Sequence, residues 1–172
     1  VKVRLSDFSR VGAITLAAGE DELLCAALDA PGGHAYFGLR TTPGKVVKLR
    51  LSDFTVAGKL SLSTGENSLN SAVLDSAKGF VCFGTSTFPG RVVKVGLAGF
   101  TRQSALTLQP GEDDLQSSVY DSSTGRAYFG TMTNAGNVVQ VNLDAGAGVM
   151  AREMAIPLGN NEYQLYLSAL ID

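Results

Sequence analysis

A step of 46 residues recurs without a gap through three copies of the chain, and it constrains the fold more than any local propensity does. Phe8, Phe54 and Phe100 stand one step apart, as do Gly19, Gly65 and Gly111; Asp29, Asp75 and Asp121; Gly38, Gly84 and Gly130; and Gly44, Gly90 and Gly136. Whole phrases return with these columns: VVKLRLSDF from Val46, VVKVGLAGF from Val92, and VKVRLSDF at the start. A fourth copy opens with Val138, Val139, Gln140, Val141 and Leu143 and then drifts, with Gly146 where Phe is expected and Gly159 two residues late. Each unit of such a chain is stabilised by its neighbours rather than by a private core.

Within one copy, apolar alternation and turn residues mark four runs of strand length. The second copy reads most clearly: LNSAVLD (69–75), a turn ending in Gly79, FVCFGTS (80–86), then Pro89 and Gly90, RVVKVGL (91–97) and SALTL (104–108). Connections this tight force neighbouring runs to pair antiparallel, and no run has the length or the 3.6-residue rhythm of a helix. One small twisted sheet cannot bury both of its faces, whereas the same sheet between two copies of itself can. The expected fold is therefore all-β, a β-propeller of four-stranded antiparallel blades with a 46-residue repeat.

The blade motif of an apolar strand ending in Asp, a turn with Gly, and an aromatic strand resembles the YVTN and NHL group of propeller repeats. The residues that carry the likeness are AYFGLRTTPG from Ala35, VCFGTSTFPG from Val81 and AYFGTMTNAG from Ala127, each followed by a valine-rich strand. The resemblance implies that the strand ending in Asp is innermost and lines a central channel. The blades then occupy residues 23–62, 69–108 and 115–156, with 1–16 as two strands of a preceding blade and 165–171 as the first strand of a following one. The ring is expected to be incomplete, with other blades or subunits completing it and two open blade edges on an isolated monomer. The opening at Val1 and the stop inside a fourth copy read as a processed or partial chain.

Charge is nearly balanced, 14 Lys and Arg against 16 Asp and Glu, which argues against nucleic acid as the partner. No apolar run reaches the roughly 18 to 20 residues of a membrane-spanning helix. Cys25 and Cys82 fall in unrelated columns and read as buried or half-buried thiols rather than a disulfide. His34, the sole histidine, has no nucleophile paired with it.

The repeated acidic loop is the candidate site: Glu20, Asp21, Glu66, Asn67, Glu112 and Asp113 form a binding rim on one face. Glu20, Glu66 and Glu112 are candidate ligands for Ca²⁺, which wants several oxygens, although Gly-Glu-Asp is equally an ordinary solvated turn. Asp29, Asp75 and Asp121 are expected to accept backbone N–H groups from their own turns. Lys2, Lys48 and Lys94 are expected to reach an edge or to pair with an acid such as Asp7 or Asp53, and the two Phe columns to pack between blades. With no asymmetric reactive cluster, the expectation is a non-enzymatic interaction or structural module without a cofactor, binding protein or glycan in an extracellular or surface assembly. The alternatives are a piece of a propeller enzyme with its catalytic residues elsewhere, and a Ca²⁺-dependent adhesion module.

Overall fold

The computed structural model describes residues 1–20, 22–146, 148–163 and 165–166. They form fourteen strands, and no helix is present among them. β1 (Lys2–Arg4) and β2 (Ser9–Gly12) make a two-stranded sheet. Three four-stranded antiparallel sheets follow. The first comprises β3 (Leu23–Asp29), β4 (His34–Leu39), β5 (Lys45–Arg50) and β6 (Thr55–Ser61). The second comprises β7 (Leu69–Asp75), β8 (Phe80–Thr85), β9 (Arg91–Gly96) and β10 (Thr101–Thr107). The third comprises β11 (Leu115–Asp121), β12 (Arg126–Thr131), β13 (Asn137–Asn142) and β14 (Ala151–Pro157). Strands pair in chain order within each sheet, and β7 lies between β3 and β11, so the leading strands stand side by side. These are β-propeller blades in an open arc. The expected first strand of a following blade lies mostly outside the described residues; of it, only Leu165 and Tyr166 are placed.

Each sheet buries both faces only where a neighbour covers them. The second sheet has one on either side, and every residue of β8 is buried. On β3 the leucines Leu23, Leu24 and Leu28 are exposed, as are Met154 and Ile156 on β14. The Gly38 column exists because the next blade packs through it. A Cβ on Gly84 would stand 2.8 Å from Leu115 Cβ, and one on Gly38 2.6 Å from Leu69 Cβ. Leu69 and Leu115 are fully buried, each removal of a side chain of this size from water being worth about 1.5–3 kcal/mol. Leu165 meets Gly130 in the same way at the last boundary, 2.6 Å from the position of an added Cβ.

The drift of the fourth copy resolves into one insertion. The connection from β13 to β14 is four residues longer than that from β9 to β10, so equivalent positions beyond it are 50 apart rather than 46. Met150, not Gly146, precedes β14 as Phe100 precedes β10, and it is buried. Asn161, not Gly159, takes the place of Gly19, Gly65 and Gly111, and at φ 78° it adopts the same left-handed conformation as those glycines.

The lysine column departs from its expected partners. Asp7 and Asp53 are held by Arg4 and Arg50 three residues away. Lys94 instead crosses the blade boundary to donate to the Leu143 carbonyl at 2.8 Å, with its ammonium 4.2 Å from the centre of the Phe80 ring. Lys48 does the same more loosely, 3.5 Å from the Leu97 carbonyl and 5.7 Å from the Phe100 ring. A lysine pinned between two sheets finds carbonyl dipoles and ring faces within reach and leaves the solvent-edge carboxylates to arginine. Phe54 and Phe100 pack against the preceding sheet, but Phe8 has no sheet before it among the described residues and is 83 % exposed.

Candidate functional site

The three glutamates of the acidic loop are buried: Glu20 at 6 %, Glu66 at 1 % and Glu112 at 4 % exposure. Each sits in a tight turn after an outer strand. Its carboxylate accepts the N–H three residues back, from Ala17, Ser63 and Gln109 respectively. Its carbonyl in the second and third cases accepts the N–H of Gly44 or Gly90 from the preceding sheet. The remaining carboxylate capacity goes to cations of the following sheet, on its outer strand in every case and, for Glu20, also at the start of β5. Arg102 Nε and Nη2 clasp both oxygens of Glu66, Arg152 does the same for Glu112, and Glu20 takes Lys59 and Lys45. The Lys59 contact above all holds the Glu20 carboxyl below its ordinary range. Glu66 and Glu112 raise the pKa of Arg102 and Arg152 in return.

The structure therefore brings each glutamate to a cation rather than to the other glutamates. Among the described residues no three His, Cys, Asp or Glu side chains are grouped to hold a metal ion. Of the remaining rim residues, Asn67 and Asp113 are half-buried, with burial raising the Asp113 pKa, and Asp21 lies outside the described residues.

At the other end of the sheets the aspartate column behaves as its turn chemistry requires. Asp29 accepts Gly32 N–H at 3.0 Å, Asp75 accepts Lys78 N–H at 2.9 Å, and Asp121 accepts Ser123 N–H at 2.9 Å. Two of them also take a hydroxyl from the next blade: Ser76 Oγ on Asp29 at 2.6 Å and Tyr120 OH on Asp75 at 2.7 Å. His34 pairs with Asp29 across β3 and β4 at this end, beside the Tyr36 ring. The thiols are free. Cys82 is fully buried, and Cys25, half-buried, donates to the Leu69 carbonyl at 3.0 Å; burial pushes both up to about 12.

A second constellation, absent from the sequence reading, lies where the leading strands begin. Each carries a β-bulge at its start, between Leu23 and Cys25, Leu69 and Ser71, and Leu115 and Ser117. The extra residues are Leu24, Asn70 and Gln116. A bulge frees its extra residue from the ladder and re-aims the side chain. Here all three point into one cleft of about 350 Å³, whose lining is completed by Arg40, Ser68, Ser86 and Asp114. Asp114 accepts Asn70 Nδ2 at 3.0 Å and Gln116 Nε2 at 2.8 Å, linking two blades. Arg40 reaches Glu22 at 3.1 Å, with both side chains more than half exposed. Beside the cleft, the buried Thr41 Oγ1 and Asn67 Oδ1 have no hydrogen-bond partner among the described residues, an arrangement that folded proteins leave for water or a ligand.

The copies differ in the lining columns: Leu24, Asn70 and Gln116; Glu22, Ser68 and Asp114; Arg40, Ser86 and Met132. The repeated glutamates, aspartates and glycines hold blade to blade, whereas these columns give the mouth of the cleft a different side chain from each blade.

No family model matches the chain, and no curated protein is similar to it in sequence. Solved structures are. The chain is similar to the WD40 repeats of RRP9, with TM-score 0.64 and 7 % identity, over 78 % of this chain and 38 % of that one. It is similar to U3-55K with the same score and identity, over 78 % and 39 %. To the Cps50 (Swd1) β-propeller domain of Myceliophteria thermophila it has TM-score 0.57 and 14 % identity, over 77 % and 38 %. The chain thus spans about two fifths of the length of these propellers. At such identities the likeness is one of fold, and the resemblance to YVTN and NHL repeats narrows accordingly: the chain is an unclosed arc of β-propeller blades.

Proposed function

We propose that this chain is a non-enzymatic interaction module, a rigid platform that holds a segment of a partner protein across the cleft at the start of its leading strands. The observation that carries the reading is the coincidence of bulge and variation. Leu24, Asn70 and Gln116 are the residues released from the ladder in each blade, and they differ while the frame around them repeats. Loops and rims on a rigid scaffold are where binding residues collect. The lining supplies a guanidinium, two amides, two hydroxyls and a carboxylate with no aromatic face, which suits an extended polypeptide better than a sugar ring. A Ca²⁺ ion at Glu20, Glu66 or Glu112 has to displace a bound lysine or arginine at each, so the adhesion reading draws no support from this geometry.

The test is selection of peptides from a displayed library on the folded chain, followed by mapping of backbone amide shifts. Perturbations are expected at Arg40, Ser68, Asn70 and Gln116, and Arg40→Ala, which gives up only an exposed ion pair, is expected to weaken binding with little change in melting temperature. Shifts confined to the outer strands overturn the site. A turnover activity abolished by one substitution in a single blade overturns the non-enzymatic reading.

A further inference from the structure

The two amide side chains of the cleft turn their nitrogens to one carboxylate. Asn70 Nδ2 donates to Asp114 Oδ1 at 3.0 Å, and Gln116 Nε2 to the same oxygen at 2.8 Å. A carboxylate can only accept, so this contact decides which end of each amide faces it. Gln116 Nε2 also stands 3.6 Å from Met132 Sδ, which occupies its second N–H. What remains to the cleft is Asn70 Oδ1, Gln116 Oε1 and Asp114 Oδ2, none of which receives a donor among the described residues.

These acceptors are held in place before any ligand arrives. Asp114 has left-handed backbone, φ 51°, with its N–H on the Thr87 carbonyl and its own carbonyl taking Met132 N–H. Asn70 and Gln116 are the bulge residues of β7 and β11, so one carboxylate fixes side chains from two blades. The cradle spans the boundary between the second and third sheets, and both have their four strands. In the residue before Ser68, Asn67 Oδ1 adds a buried oxygen without a donor, and the Ser68 and Ser86 hydroxyls of the lining can accept as well. The one cation of the lining, Arg40, already pairs with Glu22 at 3.1 Å.

Such a cradle sorts ligands by what they can donate. An anion would face oxygens with no proton to offer, and an aliphatic side chain would cover a carboxylate and two amide oxygens without bonding them. A guanidinium or ammonium group supplies several N–H donors together with positive charge. We infer that the partner segment held across the cleft places a lysine or arginine side chain on this cradle, donating to Asn70 Oδ1, Gln116 Oε1 and Asp114 Oδ2. This rests on the cleft being the peptide site, and it adds the chemistry of the residue selected there.

Peptide libraries displayed to the full chain, in buffer containing a metal chelator, test it. They share randomised flanks free of lysine and arginine and differ only in a central arginine, glutamate or alanine. Enrichment is expected from the arginine library alone, with amide shifts centred on Asn70, Asp114 and Gln116. Replacing arginine by citrulline in a selected peptide removes the charge and leaves the protein untouched, and it is expected to weaken binding by about tenfold or more. Gln116→Leu removes one acceptor and matches the residue type of Leu24 at the same bulge position. It is expected to reduce the preference for arginine over citrulline severalfold. Cleft binders drawn equally from the glutamate or alanine library, a citrulline peptide bound as tightly as its parent, or an unchanged preference in Gln116→Leu overturns the inference and leaves the cleft as a peptide site. Binders that map elsewhere, or none from any library, overturn the cleft reading and this inference together.

Discussion

The Arg102 guanidinium lies across the Glu66 carboxylate with Nη2 2.6 Å from Oε1 and Nε within 3.0 Å of both oxygens, although 36 residues and a blade boundary separate them. Glu66 is 1 % exposed and Arg102 about a third exposed. The pair is a bidentate clasp whose anion is out of water and whose cation is not.

Arg102→Ala therefore strands a buried carboxylate that retains only its Ser63 N–H bond. Loss of one partner of a fully buried pair costs about 3–5 kcal/mol, and the partial exposure of Arg102 places this case at the lower end. Urea unfolding is expected to show a loss of roughly 2–3 kcal/mol. Glu66→Gln in the Arg102→Ala background should recover part of it, since a neutral amide has less to lose by burial. An Arg102→Ala chain as stable as wild type contradicts the clasp.

Gly84→Ala probes how closely the blades approach. The new methyl would lie 2.3 Å from Ser71 Oγ and 2.8 Å from Leu115 Cβ, neither of which sits at the end of a flexible chain. Overpacking of this kind costs about 1–3 kcal/mol. Gly99→Ala is the control, where nothing comes nearer than 3.5 Å, and it should change the melting temperature little. Equal behaviour of the two variants rules out the close approach.

The phenylalanine column separates backbone strain from packing. Phe54 and Phe100 both hold φ above 45°, a conformation that costs a side-chain-bearing residue about 1–2 kcal/mol relative to the right-handed region. Phe100→Gly relieves that strain but removes a ring packed on Tyr36 and against the Gly58 backbone, a loss of about 3–5 kcal/mol for an aromatic side chain. A net loss of roughly 2 kcal/mol is expected. Phe8→Gly relieves the same strain with little packing to lose, Phe8 being 83 % exposed, and it should leave stability unchanged or raised. Similar losses at both positions would mean that the Phe8 ring is covered.

How much of this was readable in advance depended on what a fixed period can detect. Strands β7 and β3 end where their Asp columns do, and the turns made by Asp29, Asp75 and Asp121 follow from the side chain alone. The cations of the glutamate clasp escaped, because Arg102, Arg152 and Lys59 lie 36, 40 and 39 residues from their partners and Lys59 comes from a different column. The turn in which Glu162 accepts Gly159 N–H, equivalent to that of Glu112 with Gln109, escaped because the four-residue insertion before β14 moves it off the 46-residue step, and Asn161 hides the glycine that would have marked it. The cleft escaped for the opposite reason. A search for repeats finds what stays the same, and Leu24, Asn70 and Gln116 share a bulge position while differing in type.

Acid should loosen the fold through the aspartate turns. Asp121 accepts Ser123 Oγ, Thr124 Oγ1 and Ser123 N–H, and these bonds hold its pKa at about 2, below the ordinary 3.8. Burial works to raise Asp75, but the Tyr120 hydroxyl and the Lys78 N–H outweigh it and leave that carboxyl below 3.8 as well. Above pH 3.8 both folded and unfolded chains carry these carboxylates ionised, and the contribution to stability is complete. As pH falls from 3.8 toward 2 the unfolded chain takes up protons that folded Asp121 refuses, so the equilibrium shifts to the unfolded state and the contribution drains away. Unfolding in urea at a series of pH values from 5 to 2 should show wild type losing stability over this window. Asp121→Asn, which keeps an acceptor for Ser123 N–H but cannot titrate, should start lower at pH 5 and fall less steeply. Parallel curves for the two chains, or a carboxyl resonance of Asp121 titrating near 3.8, would show that the turn does not favour the charged form.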